Sequence, residues 1–376
     1  MAGIYIHIPF CAQACHYCDF HFSTSTKQQA EMVDALCAEL RLRRSYLEGA
    51  PVTSIYLGGG TPSLLTPAQL HALLQECHMH FVLSETAEIT LEANPDDISM
   101  EALEVWKAAG VNRLSIGVQT FDGDLLRFMN RSHTESEAHK ALELIAAAGF
   151  DNWTMDLIYG IHGQTDAIWA KDIVTALSFE PPHISSYCLT LEPKTAFGKW
   201  LQQGKLNEVS EDQANRQYHQ LCKTLAENGY DHYEVSNFGK PDFYSQHNTS
   251  YWLQEPYLGI GPSAHSYNRS SRQYNIANNA KYIKAIMAKE VPAEVEILSK
   301  ADHYNEYMMV SLRTSWGVDL KKVREEYNVD LQVQFAEELV TLSLQRLGGI
   351  DNHCLKLSDQ GRLFADGIAA QFFLED

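Results

Sequence analysis

Nowhere in the 376 residues is there a run approaching the roughly 18 apolar residues of a membrane-spanning helix, so no transmembrane segment is expected. The N-terminus lacks both a basic patch and a long apolar stretch before a cleavage site, so no secretory signal is expected and the cytoplasm is the expected compartment. Basic residues are scarce: 29 Lys and Arg stand against 48 Asp and Glu, a net charge of −19. That balance argues against binding a nucleic-acid backbone, which needs clustered cations. It is compatible with a basic partner or with a plain solvated surface. No Gly-Lys-Ser/Thr follows the one dense glycine turn, which excludes a P-loop. No second C-x2-C or H-x3-H pair accompanies the cysteine cluster, which weakens the case for a zinc module. Internal repeats and low-complexity tracts are absent.

What is present is concentrated. Three of the eight cysteines, Cys11, Cys15 and Cys18, fall in one C-x3-C-x2-C segment directly after the apolar run Ile4 to Phe10. Thiolates packed this closely suit a thiophilic metal centre, either iron–sulfur or zinc. Zinc would recruit His7, His16 or His21 as a fourth ligand. For an iron–sulfur cube the set is one cysteine short, which leaves one iron open to a small molecule. Cys37, Cys77, Cys188, Cys222 and Cys354 are scattered and read as reduced core cysteines.

The first half alternates β-rich and helical patterns. Strands are expected over 3–9, 54–58, 88–93, 113–119, 152–159 and 183–191. Helices are expected over 27–47, 67–81, 100–109, 135–148 and 166–178. The fold class is therefore α/β with a parallel sheet, either an open barrel or a doubly wound sheet. Thr66-Pro67 reads as an N-cap and first helical residue, and Gly110 and Gly149 as helix ends. In such folds ligands bind where the carboxyl ends of the strands converge. The cysteine segment follows the first strand and Gly58-Gly59-Gly60-Thr61-Pro62 the second. Glu92, Gln119 and Asp156 lie toward the ends of the third, fourth and fifth. Five motifs at one end of one sheet point to one shared site.

The glycine turn lets backbone groups approach a ligand, or simply makes a tight turn. Glu92 is a carboxylate on an otherwise apolar strand and needs a partner, in a ligand or in a salt bridge at the rim. Residues 232–238 read as a further strand. Gln246-His247-Asn248-Thr249-Ser250-Tyr251-Trp252 is a second dense motif, followed by a glycine-rich loop to His265. A histidine among aromatics would suit a haem pocket, and equally a hydrogen-bonded turn with a packed core. On chemistry alone the structural reading is preferred. Beyond residue 279 the pattern turns helical, with one strand at 354–357 and a last helix over 358–373. The expected division is 1–240, 241–290 and 291–376.

The string Tyr5-Ile6-His7-Ile8-Pro9-Phe10-Cys11 with C-x3-C-x2-C, together with GGGTP, the GVQTF and MNR pair and H-N-x-x-Y-W, resembles the radical S-adenosylmethionine (SAM) enzymes. The resemblance covers nearly the whole chain. It is to the branch holding oxygen-independent coproporphyrinogen III oxidase (HemN) and the haem chaperone HemW. It implies a partial (β/α)6 barrel with a small, mainly helical C-terminal domain. It implies a [4Fe–4S] cluster on Cys11, Cys15 and Cys18, with SAM chelating the open iron. Matching positions carry SAM contacts to Tyr5, Tyr17, Gly59, Gly60, Thr61, Glu92, Gln119, Arg131 and Asp156. Among these, Arg131 would take the SAM carboxylate, while Gln119 and Asp156 would take ribose hydroxyls. In the family, an electron from the cluster can cleave a carbon–sulfur bond of SAM to give a 5′-deoxyadenosyl radical.

H-N-x-x-Y-W marks the HemW type, which makes His247 the candidate haem ligand ahead of His265. Phe20 stands where the oxidase carries a further cysteine, and the chain is expected to lack the oxidase's N-terminal segment. The implied function is haem binding and transfer to an acceptor protein, with a membrane haemoprotein as one class of acceptor. The runner-up is radical decarboxylation of coproporphyrinogen propionates. A structural zinc protein that binds other proteins is the third reading.

Overall fold

The computed structural model describes residues 1–375. Six parallel strands form its centre: β1 (Ala2–Ile8), β2 (Val52–Gly59), β3 (Leu83–Ala93), β4 (Arg113–Gln119), β5 (Trp153–Tyr159) and β6 (His183–Cys188). They lie side by side in chain order, each paired in parallel with the next. A doubly wound sheet reverses its order at a switch point, and this one does not, so the barrel-type winding is the one adopted. The reason is legible in β1, where Ile4, Ile6 and Ile8 are fully buried and His7 is 4% exposed on the other face. Strands covered on both faces need helices in every crossover. Each such apolar side chain contributes about 1.5–3 kcal/mol by leaving water.

The crossover helices supply the outer layer. Helix Gln29–Leu42 buries Met32, Val33, Leu36 and Leu40, and helix Pro67–His80 buries Leu70, Leu73, Leu74 and Cys77. The latter starts at Thr66 with a reciprocal capping box to Gln69, and Pro67 follows as expected. Gly110 and Gly149 take positive φ values of 100° and 68° just past their helices, the role expected of them.

The sheet extends beyond the six. β7 (Asp231–Glu234) and β8 (Asn237–Gly239) form a hairpin on β6, with β8 antiparallel to it. The single strand expected over 232–238 is thus broken in two. The Glu234 carboxylate accepts the Ser236 N–H at 3.2 Å and the Asn237 side chain, which folds a turn between the two halves. On the other side, β9 (Tyr257–Ile260) runs parallel to β1. The antiparallel strands β10 (His265–Tyr267), β11 (Ser271–Asn275) and β12 (Ala293–Ile297) follow. The expected division at 291 would place β12 in the C-terminal part, but β12 pairs along its length with β11 and belongs to the twelve-stranded sheet.

A separate core gathers Tyr304, Met308, Leu312, Val318, Leu355 and Phe372. It holds a three-stranded sheet of β13 (Val318–Asp319), β14 (Gly348–Asp351) and β15 (Cys354–Leu357), with β15 in the centre. β15 is the strand expected there. β13 is two residues long and β14 begins with two glycines, so neither shows a period in the sequence. The continuous last helix expected over 358–373 is two short ones, Asp359–Arg362 and Ala365–Ala370. No helix among the described residues is long and apolar enough to cross a membrane.

Candidate functional site

The loop after β1 is held open by its neighbours. The Cys11 N–H donates to Ser23 O at 3.1 Å and the His16 N–H to Met129 O at 3.0 Å. Asn130 Nδ2 donates to Ala14 O at 2.7 Å, and Gln13 Nε2 returns a bond to Asn130 O at 3.0 Å. The His16 ring sits edge-on to Trp200 at 4.8 Å and binds Phe128 O through Nδ1. The Met129-Asn130-Arg131 segment and the cysteine loop therefore fix each other.

Cys11, Cys15 and Cys18 are free, partly buried thiols on the wall of one cavity of about 490 Å³ at the carboxyl ends of the strands. Burial pushes the Cys11 thiol up and the Cys18 thiol up to about 12. A single zinc ion draws four ligands to within about 2.0–2.3 Å of one point. No three His, Cys, Asp or Glu side chains among the described residues converge in that way. The zinc reading therefore gains no support. Three separated thiols on one cavity wall are the donor set of a cluster with an open iron. Arg131 Nη1 lies 3.3 Å from Cys15 Sγ, which ties the arginine to the cysteine loop.

Two glycines shape the opposite wall. Gly59 has φ +101°, and a β-carbon there would lie 2.2 Å from His7 Nδ1. At Gly60 a β-carbon would lie 2.6 Å from the carbonyls of Ile8 and Phe10. The turn is thus packed onto β1, and its glycines make room for that strand. Gly59 N–H donates to Glu92 Oε2 at 3.2 Å, and Tyr56 OH donates to Glu92 Oε1 at 2.7 Å. Burial first, then the neighbouring Asp156 carboxylate, raise Glu92 to about 7 against these two bonds. Asp156 is raised to about 6 by burial, although Ser115 Oγ donates to it at 3.0 Å.

Unused capacity marks the site. Arg131 Nη2 reaches Asn94 Oδ1 and Gly117 O, both at 2.7 Å, but buried Arg131 Nε has no partner. Buried Asp156 Oδ1 has none either. Native proteins rarely orphan such atoms without a ligand in view. Gln119 holds φ +69° at the end of β4, an uncommon conformation for a side-chain-bearing residue and one found often at ligand sites. A free guanidinium N–H fits a carboxylate, and a free carboxylate oxygen fits an ammonium or a hydroxyl. The donor set thus fits an amino-acid and ribose ligand such as SAM.

Of the residues singled out in the sequence, Tyr17, Gly59, Gly60, Thr61, Glu92, Gln119, Arg131 and Asp156 line this cavity with the three cysteines. Tyr5 does not; it lines a neighbouring cavity, where its hydroxyl donates to His7 Nδ1 at 3.0 Å. His247 lines neither cavity and is 1% exposed. Its Nδ1 lies 2.8 Å from Ser54 Oγ and its Nε2 2.8 Å from Tyr251 OH. Burial, then Arg113, lower it to about 3. These are the marks of a neutral structural imidazole, and axial ligation would require breaking one of the two bonds and bringing the buried ring into a cavity. The motif reaches the sites through other members: Asn248 lines the first cavity and Tyr251 the second. Tyr56, Asn94 and Arg113 were missed as lining residues. Tyr56 and Arg113 lie on strands expected from the sequence, and nothing in the sequence singled out any of the three as site residues. Cys188 is corrected too: it is exposed on the wall of the first cavity, because β6 ends there.

Residues 5–173 match the Radical SAM superfamily, and residues 298–364 match the HemN C-terminal domain. The chain is 37% identical to heme chaperone HemW of Lactococcus lactis, across 99% of this chain and 97% of that one. It is 36% identical to heme chaperone HemW of Bacillus subtilis, across the full length of both. Its fold superposes on coproporphyrinogen III oxidase (HemN) from Escherichia coli with TM-score 0.85, at 24% identity, covering 99% of this chain and 90% of that one. That likeness concerns the fold alone. Matched end to end by such relatives, the chain belongs to the HemW family of radical SAM proteins.

Proposed function

We propose that this protein is a haem chaperone: it binds haem and hands it to an acceptor protein. The observation that carries the reading is the end-to-end similarity to proteins named heme chaperone HemW. Cys11, Cys15 and Cys18 are the residues to hold a [4Fe–4S] cluster, with Tyr17 and Arg131 beside it. The Glu92 carboxylate and the Gly59–Gly60–Thr61 turn would hold the ammonium of SAM, the unpartnered Arg131 N–H would take its carboxylate, and Gln119 and Asp156 would take its ribose. When bound, the cluster supplies one electron and an open iron site. The chain's own contribution is to position the ligand, neutralise its charges and keep water from the reacting end. Decarboxylation of a porphyrinogen draws support only from a shared fold, which many activities use.

The reading places the protein in the cytoplasm and leaves a membrane haemoprotein as one class of acceptor. Its test is transfer. Protein loaded with haem and freed of excess is mixed anaerobically with an apo-haemoprotein, and the Soret band of the acceptor is followed. Transfer that is faster than release of haem to a passive scavenger supports the reading. Equal rates would refute it.

A further inference from the structure

We propose that the second cavity is where haem docks, and that His265 is its axial ligand. The inference rests on the haem-chaperone reading and adds a place and a ligand to it.

The cavity measures about 650 Å³ and shares Asp19 and Phe20 with the first. A flat aromatic macrocycle needs apolar walls and one unoccupied imidazole or thioether. Tyr251, Tyr257 and Tyr267 form a continuous aromatic wall: Tyr251 meets Tyr257 edge-on at 4.5 Å, and Tyr257 lies 6.3 Å from Tyr267. Phe20, 67% exposed, stands at the boundary with the first cavity. Met309 and Val310, from the helix Lys300–Ser311, line it from the C-terminal side.

Three histidines line the cavity, and their hydrogen bonds separate them. His7 Nε2 donates to His21 O at 2.7 Å while its Nδ1 accepts from Tyr5, so neither nitrogen is available. His21 Nε2 is held by Asn279 Oδ1 at 2.7 Å, which fixes the ring and leaves only its Nδ1 open. His265 is exposed, lies against Tyr274 at 5.7 Å, and has no hydrogen bond to either ring nitrogen among the described residues.

The charged groups on the wall set the orientation. Asp19, Glu255, Glu306 and Arg272 line the cavity, with Glu306 paired to Arg272 and Glu255 to Arg269. The lining carboxylates outnumber the one lining cation, so the macrocycle enters apolar edge first with its propionates toward solvent. H-N-x-x-Y-W gains a physical role in this arrangement. His247 props Tyr251 against the cavity, while Asn248, one residue on, lines the SAM cavity. One helical turn thus serves both sites.

The test uses cluster-loaded full-length protein titrated anaerobically with haemin, in wild type, His265→Ala, His21→Ala and Val310→Trp, with Soret and low-temperature EPR spectra recorded. The expected result is saturable wild-type binding, at least tenfold weaker with a shifted Soret band in His265→Ala. Iron, sulfide and melting temperature should be unchanged in that variant. Val310→Trp, which narrows the cavity, should weaken binding without moving the Soret maximum of what remains bound. A wild-type spectrum and affinity in His265→Ala, or a loss confined to His21→Ala, overturns the assignment. Full binding by Val310→Trp overturns the cavity. Failure of wild type itself to bind haem refutes the chaperone reading, and the docking site with it.

Discussion

Ser54 Oγ and His247 Nδ1 lie 2.8 Å apart in the closed interior, where strand β2 meets the helix Gln246–Trp252. The other ring nitrogen is taken by Tyr251, so His247 links a strand to its own helix. Removing the ring leaves the buried Ser54 hydroxyl and the half-buried Tyr251 hydroxyl without this partner, and a cavity behind. His247→Ala should destabilise the fold by about 2–5 kcal/mol. Chemical denaturation of the wild type and variant checks this. The Soret spectrum of whatever haem the folded variant binds should be unaltered. A spectrum that changes with no loss of stability would make His247 a ligand after all.

Cluster content should follow the three cavity-wall cysteines and no others. Serine at Cys11, Cys15 or Cys18 should cut iron and sulfide in anaerobically reconstituted protein from about four of each per chain to a small remnant. Cys188→Ser, on the same wall, should retain the full content. Zinc at one equivalent without sulfide in the wild type would contradict the assignment.

Glu92 and Asp156 make the ligand-free protein less stable as pH rises. Both are raised in the fold, Glu92 from 4.5 to about 7 and Asp156 from 3.8 to about 6. Between the unfolded and folded values the native state binds more protons, so unfolding free energy falls as pH increases across that window. The melting temperature should therefore drop between about pH 4 and 7 from these two groups. Glu92→Gln should flatten part of the drop. The same variant should weaken SAM binding by roughly tenfold to a hundredfold at pH 8, where the carboxylate meets an ammonium. Calorimetry across pH, with and without SAM, reads both effects. A Glu92→Gln protein with the wild-type pH profile would contradict this reading.

Gly60→Ala tests the packing of the glycine turn. Its β-carbon would press on two backbone carbonyls of β1 and the cluster loop, neither of which can swing aside. The expected cost is about 1–3 kcal/mol of stability, with reduced cluster retention. An unchanged denaturation midpoint would show that the turn yields more easily than its contacts imply.

Much of this site was legible before any coordinates. The six parallel strands announce themselves as short β-rich runs between helical ones, and their carboxyl ends gather Cys11, Gly59, Glu92, Gln119 and Asp156 by topology alone. Arg131 was not legible from chemistry: it lies past the end of β4, and only the hydrogen bonds between its segment and the cysteine loop bring it inward. The family resemblance found it. His247 went the other way. A sequence shows that an imidazole is present but not that both its nitrogens are taken. β9 was hidden because Gly259 breaks its apolar pattern, and the short strands β13 and β14 carry too few residues to display a period.

The most direct test of the central claim is an anaerobic haemin titration of the cluster-loaded protein, followed by its Soret band. The haem-chaperone account predicts saturation near one haem per chain, with no SAM consumed by binding. A flat titration, together with SAM-dependent decarboxylation of coproporphyrinogen by the same preparation, would contradict it and make the protein an oxidase.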